Sequence, residues 1–369
     1  MLCRRAEVIH APVFSISGSE SNLDQTQRQG LLVANFKDRV KVVSHVPGPQ
    51  RRPPSQHDLN IYSTDPDTIV FSQPIGDHQT VSNGADAMDR IRHVCPSPMR
   101  YDVPSVPGAI LMTDILTPSE CHQFIAAAEA IGYAPDAVDG IDNVVWLADD
   151  SLVDTIFDRC KKLLPQHLNS CALAGINRRW RLFRYLPGAE YRPHIDGSWT
   201  CNGLDAETGD LVEDIFGDRR SRLTFLVYLN DDFEGGHTTF FLPEQGTSST
   251  FSETIDAGSM NRLGTSSTRT GEKEKADTRG AVAAGDASSH GSPVAGARAD
   301  AVDTEDSTGT GINYWDGTAR IFAYGVQPRL GSVLVFPHGD AVNSLVHEGS
   351  AVLSGAKYII RSDVLYMNP

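Results

Sequence analysis

The chain has 369 residues, of which 40% are hydrophobic, and a formal net charge of −15. That length supports one large or two modest domains around a buried core, while the charge sets the molecule's field against nucleic acid phosphate and anionic membrane. Six cysteines without a Cys-x-x-Cys pair read as free thiols in a reducing compartment. No apolar run reaches the roughly 18 residues that cross a bilayer, and the start MLCRRAEVIH lacks the apolar stretch of a signal peptide. A cytoplasmic protein without a membrane span is expected.

Residues 1–100 hold short β-like pieces, KVVSHV and DTIVFSQP, among Pro, Ser, Gln and Asn clusters such as PGPQRRPPSQH. Periodicity sustains no long element there, so the zone reads as a partly ordered extension. The domain proper is expected over 101–367. Thr117-Pro118-Ser119-Glu120 pairs an N-cap hydroxyl with a proline at the first helical position and a Glu that reaches back. Phe124, Ile125, Ala128 and Ile131 follow at helical spacing, which predicts a helix over 117–132. A second apolar stripe, Leu152, Val153, Ile156, Phe157, Cys160, Leu163 and Leu164, predicts a helix over 151–168. Two such helices need a sheet, or each other, to cover their faces.

From about 178 the chain is strand-like. RRWRLFRY, RLTFLVYL, HTTFFL, RIFAYGV, SVLVF and KYIIRSDVLYM are rich in β-branched and aromatic residues and separated by Gly, Pro and Asp turns. With no helical pattern between them they are expected to pair antiparallel, as a sandwich or jelly roll. The interruption at 244–312 is dominated by Gly, Ser, Thr, Ala and charge, with Phe251 as an isolated aromatic before Tyr314. It reads as a low-complexity, disordered insertion.

The chemistry concentrates in RYLPGAEYRPHIDGSW, residues 184–199. On a strand, residues i and i+2 face one side, so His194 and Asp196 can present an imidazole and a carboxylate to one ion. With a histidine from a distant strand they complete the two-His-one-carboxylate set that leaves three positions open on iron(II). His347, in SLVHEGSAV, is placed for that third ligand. A His-x-Asp sequence alone is weak, and the chain contains a second, His338-Gly339-Asp340, which reads as turn chemistry. Lys357, ten residues past His347, is a strand cation able to hold a dicarboxylate, and Arg361 on the same side of that strand shares or competes for this role. Tyr185 offers a phenol to the same carboxylate. Tyr191 and Trp199 are candidates for a substrate channel, and Asp142 and Asn143 in DGIDNVVW read as a loop. Gly235-Gly236 reads as tight-turn geometry.

Taken together these pieces resemble the iron(II) and 2-oxoglutarate-dependent dioxygenases, and within them the prolyl 4-hydroxylase-like branch. The resemblance covers about 104–367 apart from the insertion. It rests on PGAILMTDILTPSECHQFIAAAE, RYLPGAEYRPHIDGS, FEGGHTTFF, VQPRLGSVLVFPHGD and LVHEGSAVLSGAKYIIRSDVLY in that order. It implies a mainly β fold with flanking helices around a double-stranded β-helix, iron on His194, Asp196 and His347, and 2-oxoglutarate held by Lys357 with Tyr185. The activity implied is hydroxylation of a C–H bond with dioxygen, coupled to decarboxylation of 2-oxoglutarate to succinate, with L-ascorbate as reductant and a protein or peptide substrate. Two alternatives stay open: a jelly-roll binding module without catalysis, and a dioxygenase of another subclass acting on a small molecule or nucleic acid. The acidity counts against nucleic acid, and an intact ligand set with Lys357 counts against a decayed module.

Overall fold

In chain order the main strands are β1 (Glu7–His10), β2 (Val40–Val46), β3 (Leu59–Thr64), β4 (Met99–Asp102) and β5 (Ile110–Thr113). Helix α1 (Pro118–Ile131), β6 (Ile141–Leu147) and helix α2 (Asp150–Cys160) follow. Next come β7 (Cys171–Ile176), β8 (Arg179–Tyr185), β9 (Tyr191–His194) and β10 (Arg219–Tyr228). The chain closes with β11 (Thr238–Pro243), β12 (Arg320–Val326), β13 (Val333–Pro337), β14 (His347–Gly349) and β15 (Lys357–Met367). These come from a computed structural model that describes residues 7–16, 39–51, 57–66, 68–72, 96–244, 320–339 and 344–369. The chain divides into one unit of Met1–Glu244 with Ala299–Pro369 and another of Gln245–Arg298. The second unit, and all of the expected 244–312 insertion but Glu244, lie outside the described residues.

Among the described residues the larger sheet runs β2-β3-β6-β8-β15-β10-β13-β5-β4 and the smaller one β1-β12-β11-β14-β9. From β8 to β15 the chain visits the larger and smaller sheets in the order large, small, large, small, small, large, small, large. That path gives the neighbour orders β8-β15-β10-β13 and β9-β14-β11-β12, an eight-stranded jelly roll.

Alternation along each strand decides what lies on either side of the larger sheet. Trp180 and Leu182 of β8, Phe225 and Val227 of β10, Val333 and Val335 of β13 and Ile360 and Val364 of β15 pack with Phe124 of α1 and with Leu152 and Ile156 of α2. Phe183 and Tyr185, Leu226 and Tyr228, Leu334 and Phe336, and Ile359 face the other way, against Phe240 and Val326 of the smaller sheet. Phe124 illustrates the helix layer: its ring lies 6.1 Å from Trp146 and 5.9 Å from Trp180, and it is fully buried. Truncating it to alanine opens a void costing about 3–5 kcal/mol.

The start of α1 follows its sequence closely. Thr117 accepts from the Glu120 amide at 3.3 Å, and Glu120 accepts from the Thr117 amide at 2.8 Å. Helix α2 departs from the span expected. Asp149 is its N-cap, bonding the Ser151 and Leu152 amides at 2.9 and 3.2 Å, and the helix ends at Cys160 instead of 168. Gln166 takes the carbonyls of Lys161 and Leu164 at 2.7 and 2.9 Å, and His167–Leu168 pairs with residues of β7, so the backbone past 160 is satisfied without further helix.

The first hundred residues contribute directly to both sheets. β3 runs parallel to β6 and β1 parallel to β12. KVVSHV lies in β2, whose partner β3 carries LNIYST, a strand with no clear period in sequence. Of DTIVFSQP, residues 68–72 form no strand. Gln123 bonds both the amide and carbonyl of Val70, and Glu120 accepts from the Ser72 amide at 2.7 Å. Asp142 and Asn143 sit on β6 rather than in a loop: Asp142 pairs with Arg184 at 2.8 Å and Asn143 donates to Asp136.

Candidate metal centre and its cavity

β9 and β14 are antiparallel neighbours, and His194 and His347 occupy directly opposed positions in their ladder. Cross-strand partners share a face, and the two imidazole centroids lie 4.3 Å apart. Each ring is turned by a backbone carbonyl: His194 Nδ1 lies 2.8 Å from the Arg192 oxygen and His347 Nδ1 3.1 Å from the Leu345 oxygen. A carbonyl can only accept, so Nδ1 donates in both rings and each Nε2 is the nitrogen turned toward the carboxylate.

Those nitrogens face one carboxylate. Asp196 Oδ1 is 3.5 Å from His194 Nε2, and Oδ2 is 3.6 Å from His347 Nε2; the three ligand atoms all fall within 4.8 Å of one another. Asp196 lies just beyond the end of β9, so the turn after the strand, rather than strand alternation, delivers it. That turn is held by the Gly339 amide, which donates to the Asp196 carbonyl at 2.9 Å. Gly339 has φ +58°, and a Cβ there would meet Ser198 at 2.6 Å, so the approach needs glycine.

The charge states suit a divalent ion. Burial pushes the Asp196 carboxyl up, but the Arg361 guanidinium and the two imidazoles outweigh it and hold it well below the usual carboxylate range. Burial, then the neighbouring His194, lowers His347 to about 4, so that imidazole is neutral at physiological pH. Two imidazole nitrogens and one carboxylate, gathered within reach of one ion, form a donor set that fits iron(II).

These groups line a half-open cavity between the sheets, shared with Arg181, Phe183, Tyr185, Tyr191, Lys357 and Arg361. Lys357 and Tyr185 are partners in the β8–β15 ladder, and the ammonium lies 5.1 Å from the Tyr185 ring centroid. Lys357 is 2% exposed. Among the described residues its hydrogen-bond partner is the Gly236 carbonyl at 2.7 Å, and no carboxylate pairs with it. Burial alone lowers it to about 7.

Arg361 is differently placed. It lies 3.2 Å from Asp196 Oδ1 and 3.4 Å from Asp363 Oδ1, so two carboxylates of the chain already engage the guanidinium. Tyr191 lines the cavity, its ring 4.7 Å from that of His194. Trp199 is not among the lining residues; its backbone exchanges hydrogen bonds with Ser221, its amide donating to Oγ at 2.7 Å and its carbonyl accepting at 2.8 Å.

No protein-family model matches the chain, and no curated protein matches it. Solved structures do. A viral collagen prolyl hydroxylase from Paramecium bursaria Chlorella virus-1, in complex with 2-oxoglutarate, is 14% identical over 73% of this chain and 100% of its own, with a TM-score of 0.37. A prolyl hydroxylase from Trichoplax adhaerens, solved with a hypoxia-inducible-factor peptide fragment, is 12% identical over 70% and 83%, at 0.34. HygX from Streptomyces hygroscopicus, with nickel, 2-oxoglutarate and hygromycin B bound, is 14% identical over 71% and 83%, also at 0.34. At these identities and scores the likeness carries no functional argument.

Several residues that shape the site escape a reading of sequence. Thr224 donates to Asp196 Oδ2 at 2.5 Å; its only trace is a hydroxyl inside the apolar run RLTFLVYL. His338 is fully buried beside it. Gly236 serves through its carbonyl, and the Gly-Gly pair announces the turn without announcing the contact.

Proposed function

We propose that this protein is an iron(II)- and 2-oxoglutarate-dependent dioxygenase that hydroxylates a C–H bond of a protein side chain, with proline as the first candidate and ascorbate as reductant. The observation that carries this is the pairing, in one cavity, of a His-Asp-His donor set with a buried ammonium that no carboxylate of the described residues neutralises. Burying an unpaired cation costs several kcal/mol, and a cavity built around one is matched to an anionic ligand. A keto-diacid satisfies both ends: one end beside the donors, its distal carboxylate on Lys357.

Within that reading, iron(II) held by His194, Asp196 and His347 supplies the oxygen-activating chemistry. The chain's own groups do the rest. Lys357 grips the distal carboxylate by a charge-assisted contact, with the Tyr185 hydroxyl beside it. Arg192 and Leu345 carbonyls keep both imidazoles in the ligating tautomer. Phe183, Tyr191 and Phe336 line the cavity and limit water around the reacting centre.

The test is anaerobic titration of the purified chain with iron(II) and then 2-oxoglutarate, followed by succinate measurement in air with ascorbate. Wild type should bind both and release succinate slowly without substrate. Lys357→Met should keep iron and lose 2-oxoglutarate, and His194→Ala should lose both. Wild-type protein that binds neither sinks the proposal. Substrate is then sought by capturing partners with an inert 2-oxoglutarate analogue and measuring a gain of one oxygen by mass.

A further inference from the structure

In the second His-x-Asp sequence His338 is not one of the three grouped donors, yet it is 0% exposed and reaches the Asp196 carboxylate through one intermediary. It follows β13 directly. Its Nδ1 lies 2.8 Å from Thr224 Oγ1, and Thr224 Oγ1 lies 2.5 Å from Asp196 Oδ2. Its Nε2 lies 2.9 Å from Ser221 Oγ, which accepts the Trp199 amide at 2.7 Å. Asp340 lies outside the described residues.

The hydrogens in this chain follow from elimination. Thr224 donates its single hydroxyl hydrogen to Asp196 Oδ2. Thr224 then faces His338 with a lone pair, and Nδ1 must carry a hydrogen. On the other side, Ser221 Oγ accepts the Trp199 amide and has its single hydrogen to give to Nε2 at 2.9 Å. The Asp363 carboxylate, with Oδ1 3.6 Å from Nδ1, favours a hydrogen at the same nitrogen. Donation therefore runs one way along two arms that meet at the ring: Trp199 amide to Ser221 to Nε2, and Nδ1 to Thr224 to Asp196. Arg361, between Asp363 and the other Asp196 oxygen, holds the far edge of the same carboxylate.

We infer that His338 is a positioning residue for the metal centre: acting through Thr224, it fixes the orientation of the Asp196 carboxylate and thereby sets metal affinity. This rests on reading His194, Asp196 and His347 as metal ligands. A tripod whose carboxylate is free to rotate offers the ion its donor atoms in the right geometry only part of the time, and outer partners of this kind are worth about 10- to 100-fold in affinity.

Two measurements test it. In metal-free protein, nitrogen-15 NMR of labelled histidine should show His338 as the Nδ1–H tautomer; an Nε2–H tautomer or an imidazolium overturns the inference without touching the metal reading. Cobalt(II), added anaerobically without 2-oxoglutarate, then reads affinity and ligand-field absorption. Thr224→Val and His338→Leu should each lose about tenfold or more in affinity and shift the spectrum. Thr224→Ser restores the hydroxyl, and His338→Asn places an amide N–H near the Nδ1 position; both should stay within a few-fold of wild type. Equal loss in the Leu and Asn variants, or wild-type binding and spectrum in Thr224→Val, overturns the inference, with circular dichroism confirming that each variant compared is folded. A wild-type chain that binds no cobalt overturns the metal reading and this role with it.

Discussion

Lys357 is the residue whose environment departs furthest from what its chemistry prefers. Its ammonium, near 10.5 in open chain, sits at about 7 because burial removes its water. Between those values the unfolded chain holds a proton that the folded chain does not, so stability rises with pH across that window and the full penalty is present below 7. Lys357→Met should therefore stabilise the unliganded protein most at pH 6, by at most about 5 kcal/mol, and by progressively less as pH approaches 9. Urea unfolding at several pH values checks this. The ligand side has the opposite sign. A dicarboxylate needs the charged lysine, so above pH 7 binding must take up a proton, and the Kd for 2-oxoglutarate should rise up to tenfold per pH unit. A flat Kd between pH 7 and 8.5 would remove Lys357 as the anchor. Gly236 is coupled to this residue: at φ +62°, an added Cβ would meet Phe233 at 2.8 Å and the Lys357 stem at 3.2 Å. Gly236→Ala should weaken 2-oxoglutarate binding and leave cobalt binding at His194, Asp196 and His347 unchanged, as parallel titrations of the two ligands would show. His194, Asp196, His347 and Lys357 are singled out in the sequence because ligand chemistry admits few residue types, and the fold brings them into one cavity. Thr224 and His338 are not, since a threonine or histidine in a strand has many ordinary uses until the opposing strands are known.

At the level of elements, local signals carry the helix starts well and their surroundings poorly. Thr117, Pro118 and Glu120 announce the first turn of α1, yet Glu120 has a second task. It is fully buried and meets Arg159 of α2 in a two-pronged pair at 2.8 and 2.9 Å, while its first oxygen also takes the Ser72 amide. Burial pushes its carboxyl up, but Arg159 and the Ser72 and Thr117 amides outweigh that and hold it low. Its contribution is therefore present above the unfolded carboxyl value and is lost as pH falls through the folded one. One carboxylate thus ties α1, α2 and segment 68–72 together, a convergence that no window of sequence displays. Glu120→Ala should cost about 3 kcal/mol or more, because it strands a mostly buried guanidinium, whereas Glu120→Leu with Arg159→Met should recover much of that loss. Unfolding midpoints of the single and double variants measure it. Failure of the double variant to exceed the single would assign the loss to the cap alone.

Across the whole chain, the jelly roll is readable as a class from the run of short strands beyond 178, but its closure depends on pairings between distant segments. β8 and β15 stand side by side though most of the domain separates them, and β1 and β3 join sheets whose other members come far later. Alternation gives a strand its two faces and says nothing about which neighbour it takes. The same topology makes a prediction about residues 245–319. β11 and β12 are antiparallel neighbours with Pro243 opposite Ile321, and the Glu244 amide donates to the Arg320 carbonyl at 2.9 Å. The ladder itself therefore brings the ends of that segment together, and a two-residue Asn-Gly turn can replace it without moving either strand. β11 also pairs with β14, placing Phe240 opposite His347, so a lost β11–β12 pairing would be felt at the candidate metal site. We expect the shortened protein to be soluble, to keep the circular dichroism of the full chain, and to bind cobalt with the same affinity and spectrum. Soluble protein with weakened cobalt binding would mean that the replaced segment supports β14, and an insoluble product would mean that it is part of the fold itself.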